Sequence, residues 1–206
     1  ETGGSRQKQE HGGETKTAMK YITFAIPCYN SEEYMEHAIN SILPAGEDVE
    51  ILVVNDGSKD QTAEIGKRYE AMYPGIVRVI DKENGGHGDA VNAGLSQASG
   101  VYFKVVDSDD WVNEEAYVQV LDTLRRFVYG GETLDMLVTN FVYEKEGARR
   151  KKVMKYHTAF PKDKVFGWND VKFFMTGQYI LMHSVIYRTG LLIQRAGASQ
   201  TYLLCG

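Results

Sequence analysis

The chain has 206 residues, 43% hydrophobic and 25% charged, with 23 Lys and Arg against 28 Asp and Glu. That is enough apolar material for one domain with a buried core, or one domain plus a fragment. A net charge of −5 supplies no global cationic field, which argues against a nucleic-acid partner; the two cysteines, Cys28 and Cys205, do not make a disulfide framework, so a reducing, cytoplasmic compartment is expected.

Residues 1–18 are polar and Gly-rich, with no period that could bury a face. They read as a disordered leader or added sequence, with Met19 as the natural start. No signal peptide opens the chain, and no apolar run has the length of a bilayer span. From Gln194 to Gly206 the pattern fades and the chain stops abruptly.

From Tyr21 onward strand-like and helix-like segments alternate. Tyr21 to Pro27 is an apolar, β-rich run. Asn30 and Ser31 are placed to cap a helix through Ile42, and Glu33 stands three residues after Asn30 as in a capping box. Val49 to Val54 is a second strand, ended by Asn55-Asp56-Gly57-Ser58. Thr62 to Tyr73 predicts an amphipathic helix, stopped by Pro74-Gly75. Ile76 to Ile80 is a third strand, and Gly85-Gly86-His87-Gly88 opens a helix running to about Ala98. Tyr102 to Val106 is a fourth strand, leading straight into Asp107. Beyond it, Glu114 to Phe127 reads as helix and Met136 to Tyr143 as one strand. Glu144 to Lys155 reads as a charged connector, Asp170 as the cap of a short helix through Met175, and Tyr179 to Tyr187 as a strand.

Strands apolar on both faces, alternating with helices, predict an α/β fold with a mainly parallel sheet flanked by helices. In such sheets ligands bind beyond the carboxyl ends of the strands. The four polar clusters fall there: Pro27 to Asn30, Asn55 to Ser58, Glu83 to Gly88 and Asp107 to Asp110.

Asp107-Ser108-Asp109-Asp110 puts carboxylates two apart at a strand end, where a bending chain can turn both to one hard cation such as Mg²⁺ or Mn²⁺. Acidic turn residues also bond their own backbone and cap helices, and this stretch alone leaves both accounts open. Asn55-Asp56-Gly57-Ser58 is by itself a turn; at this sheet edge Asp56 can accept a hydrogen bond from a base N–H. Glu83-Asn84-Gly85-Gly86-His87-Gly88 exposes amides at a helix start, suited to a diphosphate or only to a tight turn. No G-x-G-x-x-G follows the first strand, no Walker-A run is present, and no Cys/His spacing suggests zinc.

Taken together, Ile26-Pro27-Cys28-Tyr29-Asn30, Val53-Val54-Asn55-Asp56-Gly57-Ser58-Lys59-Asp60, Glu83-Asn84-Gly85-Gly86 and Asp107-Ser108-Asp109-Asp110-Trp111 are similar, in order and spacing, to the family 2 glycosyltransferases with a GT-A fold. The resemblance is close from Tyr21 to Trp111 and looser towards Arg188. It implies a nucleotide-sugar-binding half over 19–130 and a partial acceptor-side half over 131–206. It implies that Pro27 and Tyr29 flank the base, that Glu32 lies near the ribose, and that Asp56 binds the base, usually uracil. Asn84 would sit near the nucleotide, with Asn30, Gly85 and Ser108 in the same donor-site motifs. Asp107 would face the ribose or metal side, and Asp109 would hold a divalent cation, Mn or Mg, bridging the diphosphate. The expected reaction transfers a sugar, with inversion, from a UDP-sugar to a glycan or lipid-linked acceptor.

Two departures stand out. Ala90-Val91-Asn92 occupies the place where many members carry Ala-Arg-Asn, so one phosphate-facing charge is absent, with His87 as the nearby replacement. No acidic motif after the metal motif matches the family's general base, and the chain is expected to end before it. Asp170 reads as a cap, and His183 as a strand histidine or a group lining the acceptor site. The basic run Arg149, Arg150, Lys151, Lys152 and Lys155 is a solvated face or an approach to a lipid phosphate or anionic glycan, with peripheral contact at the inner face of the membrane. The alternative is a donor-binding module without a base. A sugar-1-phosphate nucleotidyltransferase would show a Gly-rich, Arg- and Lys-containing stretch where Ile26 to Asn30 stands.

Overall fold

The structure is a computed structural model, and it describes residues 19–144 and 151–196. The leader over 1–18, Arg149, Arg150 and the chain end with Cys205 lie outside the described residues.

The chain runs β1 (Ile22–Cys28), α1 (Met35–Ile42), β2 (Val49–Asp56), α2 (Thr62–Met72), β3 (Val77–Lys82), α3 (His87–Gln97), β4 (Tyr102–Val105) and α4 (Glu114–Tyr129). There follow β5 (Met136–Val138), β6 (Phe141–Tyr143), β7 (Lys152–Met154), β8 (Val185–Arg188) and α5 (Thr189–Ala196). Six strands form one sheet in the order β3-β2-β1-β4-β8-β5; β1 to β4 are parallel, and β8 pairs antiparallel with both β4 and β5.

The strand sequences explain the layering. Ile22, Phe24 and Ile26 of β1, with Val49, Ile51 and Val53 of β2, pack with Met35, Ile39 and Ile42 of α1, Ile65 and Tyr69 of α2, and Leu121 and Leu124 of α4. The alternate residues face the other way. Ala25, Phe103 and Val105 meet Val91 and Leu95 of α3 and Leu192 of α5, while Leu52 and Val54 meet Ala90. Side chains alternate across a strand, so a sheet covered on both sides is apolar at most positions on both faces; the buried polar exceptions Thr23 and Glu50 bond each other. Each fully buried Ile, Leu or Val contributes roughly 1.5–3 kcal/mol to folding. The strand order reverses between β1 and β4, so the loops after these strands diverge and leave a crevice.

Several local expectations are corrected. α1 begins at Met35 with no side-chain cap, because the Ser31 hydroxyl is engaged with Tyr29 and Ser108 and Asn30 with Lys59. Met136 to Tyr143 is two strands in different sheets, β6 pairing with β7. The chain leaves the main sheet at Thr139, whose N–H donates to the Ser184 carbonyl. The connector expected from Glu144 to Lys155 thus contains β7. Asp170 accepts from the Gly167 amide and closes a single 3-10 turn, with no helix running to Met175. Met182–Ser184 is likewise a 3-10 turn, ahead of β8.

Candidate functional site

The four loops meet at one sheet edge because β1 to β4 are parallel and end together. They are laced by side chains. Asn30, at φ 51°, donates its amide to Ser58 Oγ and accepts the Lys59 amide on Oδ1. Glu32 accepts the Gln61 amide, while its own amide donates to Asp60. The Ser31 and Ser108 hydroxyls are 2.8 Å apart and join the first loop to the fourth. Gly57 is required by its place: φ is +69°, and a Cβ would lie 2.8 Å from the Asn84 nitrogen.

Between these loops lies a cleft of about 470 Å³, lined by Pro27, Tyr29, Ser31, Asp56, Asn84, His87, Asp107, Ser108 and Asp109, among others. Of the expected donor-site residues, Pro27, Tyr29, Asp56, Asn84, Asp107, Ser108 and Asp109 line it, whereas Asn30, Glu32 and Gly85 serve the lacing around it. Tyr29 is half exposed at the mouth.

Asp56 is nearly buried and accepts three donors: Lys82 Nζ at 2.6 Å, the Gly85 amide at 2.9 Å and the Gly86 amide at 2.8 Å. Burial pushes its carboxyl up, but these bonds outweigh burial and hold it below the usual range. Its remaining lone-pair capacity can take a further donor. Lys82 also pairs with Asp89, at 2.6 Å, and its ammonium is held above its ordinary value by Asp56 first and then Asp89.

The fourth loop carries the acidic motif. Asp107 Oδ1 lies 2.8 Å from His87 Nε2, and this bond raises the His87 pKa against the opposing effect of burial. Asp110 Oδ2 lies 3.1 Å from His183 Nδ1, which raises the His183 pKa in the same way. Asp107, Asp110 and His183 can each present a ligand atom within 4.8 Å of the other two. Two carboxylates and an imidazole suit Mn²⁺ and fit Mg²⁺ less well, since Mg²⁺ favours oxygen donors. Asp109 is exposed and forms no hydrogen bond or ion pair among the described residues. It lines this cleft and also a much larger one of about 1,710 Å³, bounded by α4, β5, β6 and the segment from Tyr156 to Trp168.

Lys104 was missed in the sequence, where only its place within an apolar strand ahead of Asp107 marks it. Its ammonium donates to the carbonyls of His183 at 2.9 Å, Met182 at 3.4 Å and Val185 at 3.5 Å. Burial lowers its pKa to about 8, opposed by the charges of Asp110 and Asp107. Cys28 is a buried free thiol, pushed up to about 12 chiefly by burial. No helix among the described residues is long and apolar enough to cross a membrane.

Comparison with known proteins agrees with this geometry. The chain is 44% identical over 101 residues to the glycosyltransferase GlyA of Streptococcus pneumoniae, a match covering 48% of this chain and 14% of that protein. It is 32% identical over 137 residues to the minor teichoic acid biosynthesis protein GgaA of Bacillus subtilis, covering 63% and 30%. The structure of S. aureus TarS 1–349 superposes with a TM-score of 0.64 at 27% identity, covering 86% of this chain and 49% of that one. The same protein in complex with UDP-GlcNAc gives 0.63 at 28% identity, covering 86% and 47%. The chain thus spans half or less of the length of these relatives, and its α/β sheet has the GT-A arrangement. The description Glycosyl transferase family 2 matches residues 23–191, and with the strand-end motifs gathered on one cleft, the chain belongs to that family.

Proposed function

We propose that the chain serves a metal-dependent transfer of a sugar, with inversion, from a uridine-diphosphate donor to a hydroxyl of a glycan or lipid-linked acceptor. The observation that carries this reading is that Asp109 belongs to two clefts at once. A transferase must bring a donor and an acceptor to one point, and here a nucleotide-sized cleft meets a larger one at a free carboxylate.

In this reading the base lies against Tyr29 and Pro27 and donates to Asp56. The diphosphate lies towards the start of α3, where backbone amides and His87 favour an anion. Asp107, Asp110 and His183, with Asp109 at the rim, would hold the cation. When bound, such a cation neutralises charge growing on the leaving diphosphate. The bond from the anomeric carbon to the diphosphate breaks, the acceptor oxygen bonds to that carbon from the opposite face, and the hydroxyl proton passes to a base. TarS was solved with UDP and with UDP-GlcNAc, which supports uridine as the nucleotide. Lys155 and Lys164 line the larger cleft without an ion pair among the described residues, which favours an acceptor carrying negative charge.

Calorimetric titration of UDP, first with Mn²⁺ and then with EDTA, tests the donor site. Binding that requires the metal is expected; folded protein that binds UDP in neither buffer overturns the uridine assignment.

A second reading, a donor-binding module without its own base, is favoured by one observation. In the larger cleft Asp135 is paired with Arg188, Glu144 with Lys151, Asp163 with Lys162 and Asp110 with His183. Only Asp109 is left without a partner among the described carboxylates lining that cleft, and it is assigned to the cation. Metal-dependent UDP binding with no hydrolysis of UDP-sugars would select this reading over the first.

A further inference from the structure

We propose that Lys104 is a positioning residue for the cation-holding cluster: it gathers the backbone of the Met182–Ser184 turn and so sets the His183 imidazole against Asp110. This rests on the reading of Asp107, Asp110 and His183 as a metal donor set. The need for such a strut follows from the sheet. Backbone pairing between β4 and β8 covers only Tyr102 with Arg188 and Phe103 with Tyr187. Past Phe103 the ladder stops, and the chain before β8 folds into a 3-10 turn instead of continuing along β4. The Met182 carbonyl accepts the Val185 amide within the turn and the Ser184 carbonyl accepts the Thr139 amide, which leaves the His183 carbonyl facing β4, and backbone carbonyls need partners.

The next residue of β4 supplies them. Lys104 carries three donors on one nitrogen and reaches the carbonyls of Met182, His183 and Val185. No carboxylate lies within ion-pair distance of it among the described residues. Holding a partly buried ammonium against carbonyls alone costs folding free energy that an apolar side chain would not. A residue kept in that state does something a leucine could not. Here it fixes the backbone of the residue whose side chain meets Asp110 at 3.1 Å. Groups that orient metal ligands typically change metal affinity by about 10- to 100-fold when removed.

The test is Mn²⁺ binding to the full chain in the presence of UDP, read from the electron paramagnetic resonance signal of free Mn²⁺. Wild type, Lys104→Met, His183→Ala and the double variant are compared at a temperature where circular dichroism shows each folded. Lys104→Met is expected to weaken Mn²⁺ binding about tenfold or more, with the double variant no weaker than His183→Ala alone. Should Lys104→Met not fold, Lys104→Gln is judged by the same criteria. Wild-type affinity in the lysine variant, or losses that add in the double variant, would overturn the positioning role and leave the metal reading standing. Wild-type protein that takes up no Mn²⁺ with UDP would instead overturn the metal reading, and this inference with it.

Discussion

The hydroxyls of Ser31 and Ser108 lie 2.8 Å apart across 77 positions of sequence, and they tie the loop after β1 to the acidic loop after β4. Ser31 Oγ also accepts the Tyr29 amide, so one hydroxyl fixes both the aromatic at the cleft mouth and the turn that carries the carboxylates. Ser31→Ala is expected to cost about 1 kcal/mol of stability, the usual net value of a hydrogen bond. It should also weaken UDP binding several-fold, because both walls of the cleft loosen. Urea unfolding and calorimetry on the same samples check the two effects; unchanged UDP affinity would show that the bond serves stability alone.

Asp109 and Asp110 are separated by a direct comparison. Asp109→Ala is expected to remove the metal dependence of UDP binding, and Asp110→Ala to weaken Mn²⁺ by about tenfold. Full metal stimulation in Asp109→Ala would transfer the cation to Asp107, Asp110 and His183 without it. Mn²⁺-dependent calorimetric titration reads both variants.

Asp56 makes stability depend on pH. Burial raises its carboxyl pKa, but Lys82 and the Gly85 and Gly86 amides lower it further, so the folded value lies below the unfolded one of about 3.9. A depressed carboxylate contributes fully above the unfolded value and loses its contribution as pH falls through the folded value. Wild-type protein is thus expected to lose stability below about pH 4. Asp56→Asn should start about 2 kcal/mol less stable at neutral pH and show a flatter acid limb. Denaturant midpoints from pH 3 to pH 7 give the comparison; parallel curves would mean that Asp56 does not carry the dependence.

Gly57→Ala probes the seam between the second and third loops. The new methyl group would meet the Asn84 nitrogen at 2.8 Å in a backbone conformation unfavourable to Ala. A loss of about 1–3 kcal/mol is expected, with UDP binding impaired because Asn84 donates to the Asp56 carbonyl. Thermal unfolding and titration of UDP test it, and a variant matching wild type in both would refute the close approach.

Sequence alone revealed most of the parallel part of the sheet and the loops after its strands. Val49 to Val54 is apolar on both faces except at Glu50, which pointed to a strand covered on both sides with the polar cluster after it at the sheet edge. Local pattern could not reveal what distant partners decide. Met136 to Tyr143 carries an unbroken β-like composition, yet Thr139 bonds Ser184 and the strand divides between two sheets. Ser31 has the chemistry of a helix cap, but Thr62, Tyr29 and Ser108 claim its amide and hydroxyl. Lys104 in an apolar strand is ordinary until the Met182 turn is seen beside it. His183 found its partner, Asp110, only once β8 was placed next to β4.

The sheet order has a consequence for assembly. β1 to β4 come from one continuous stretch and occupy neighbouring positions, so they can pair as soon as that stretch exists. β5 is made next but pairs with none of them; among the described residues its only sheet neighbour is β8, nearly fifty residues later. During synthesis at about 5–20 residues per second, the four parallel strands can therefore pair seconds before the larger cleft has its wall. The late strand β8 acts as a closing bolt: one segment seats β5, carries Arg188 to Asp135 and follows the turn that brings His183 to Asp110.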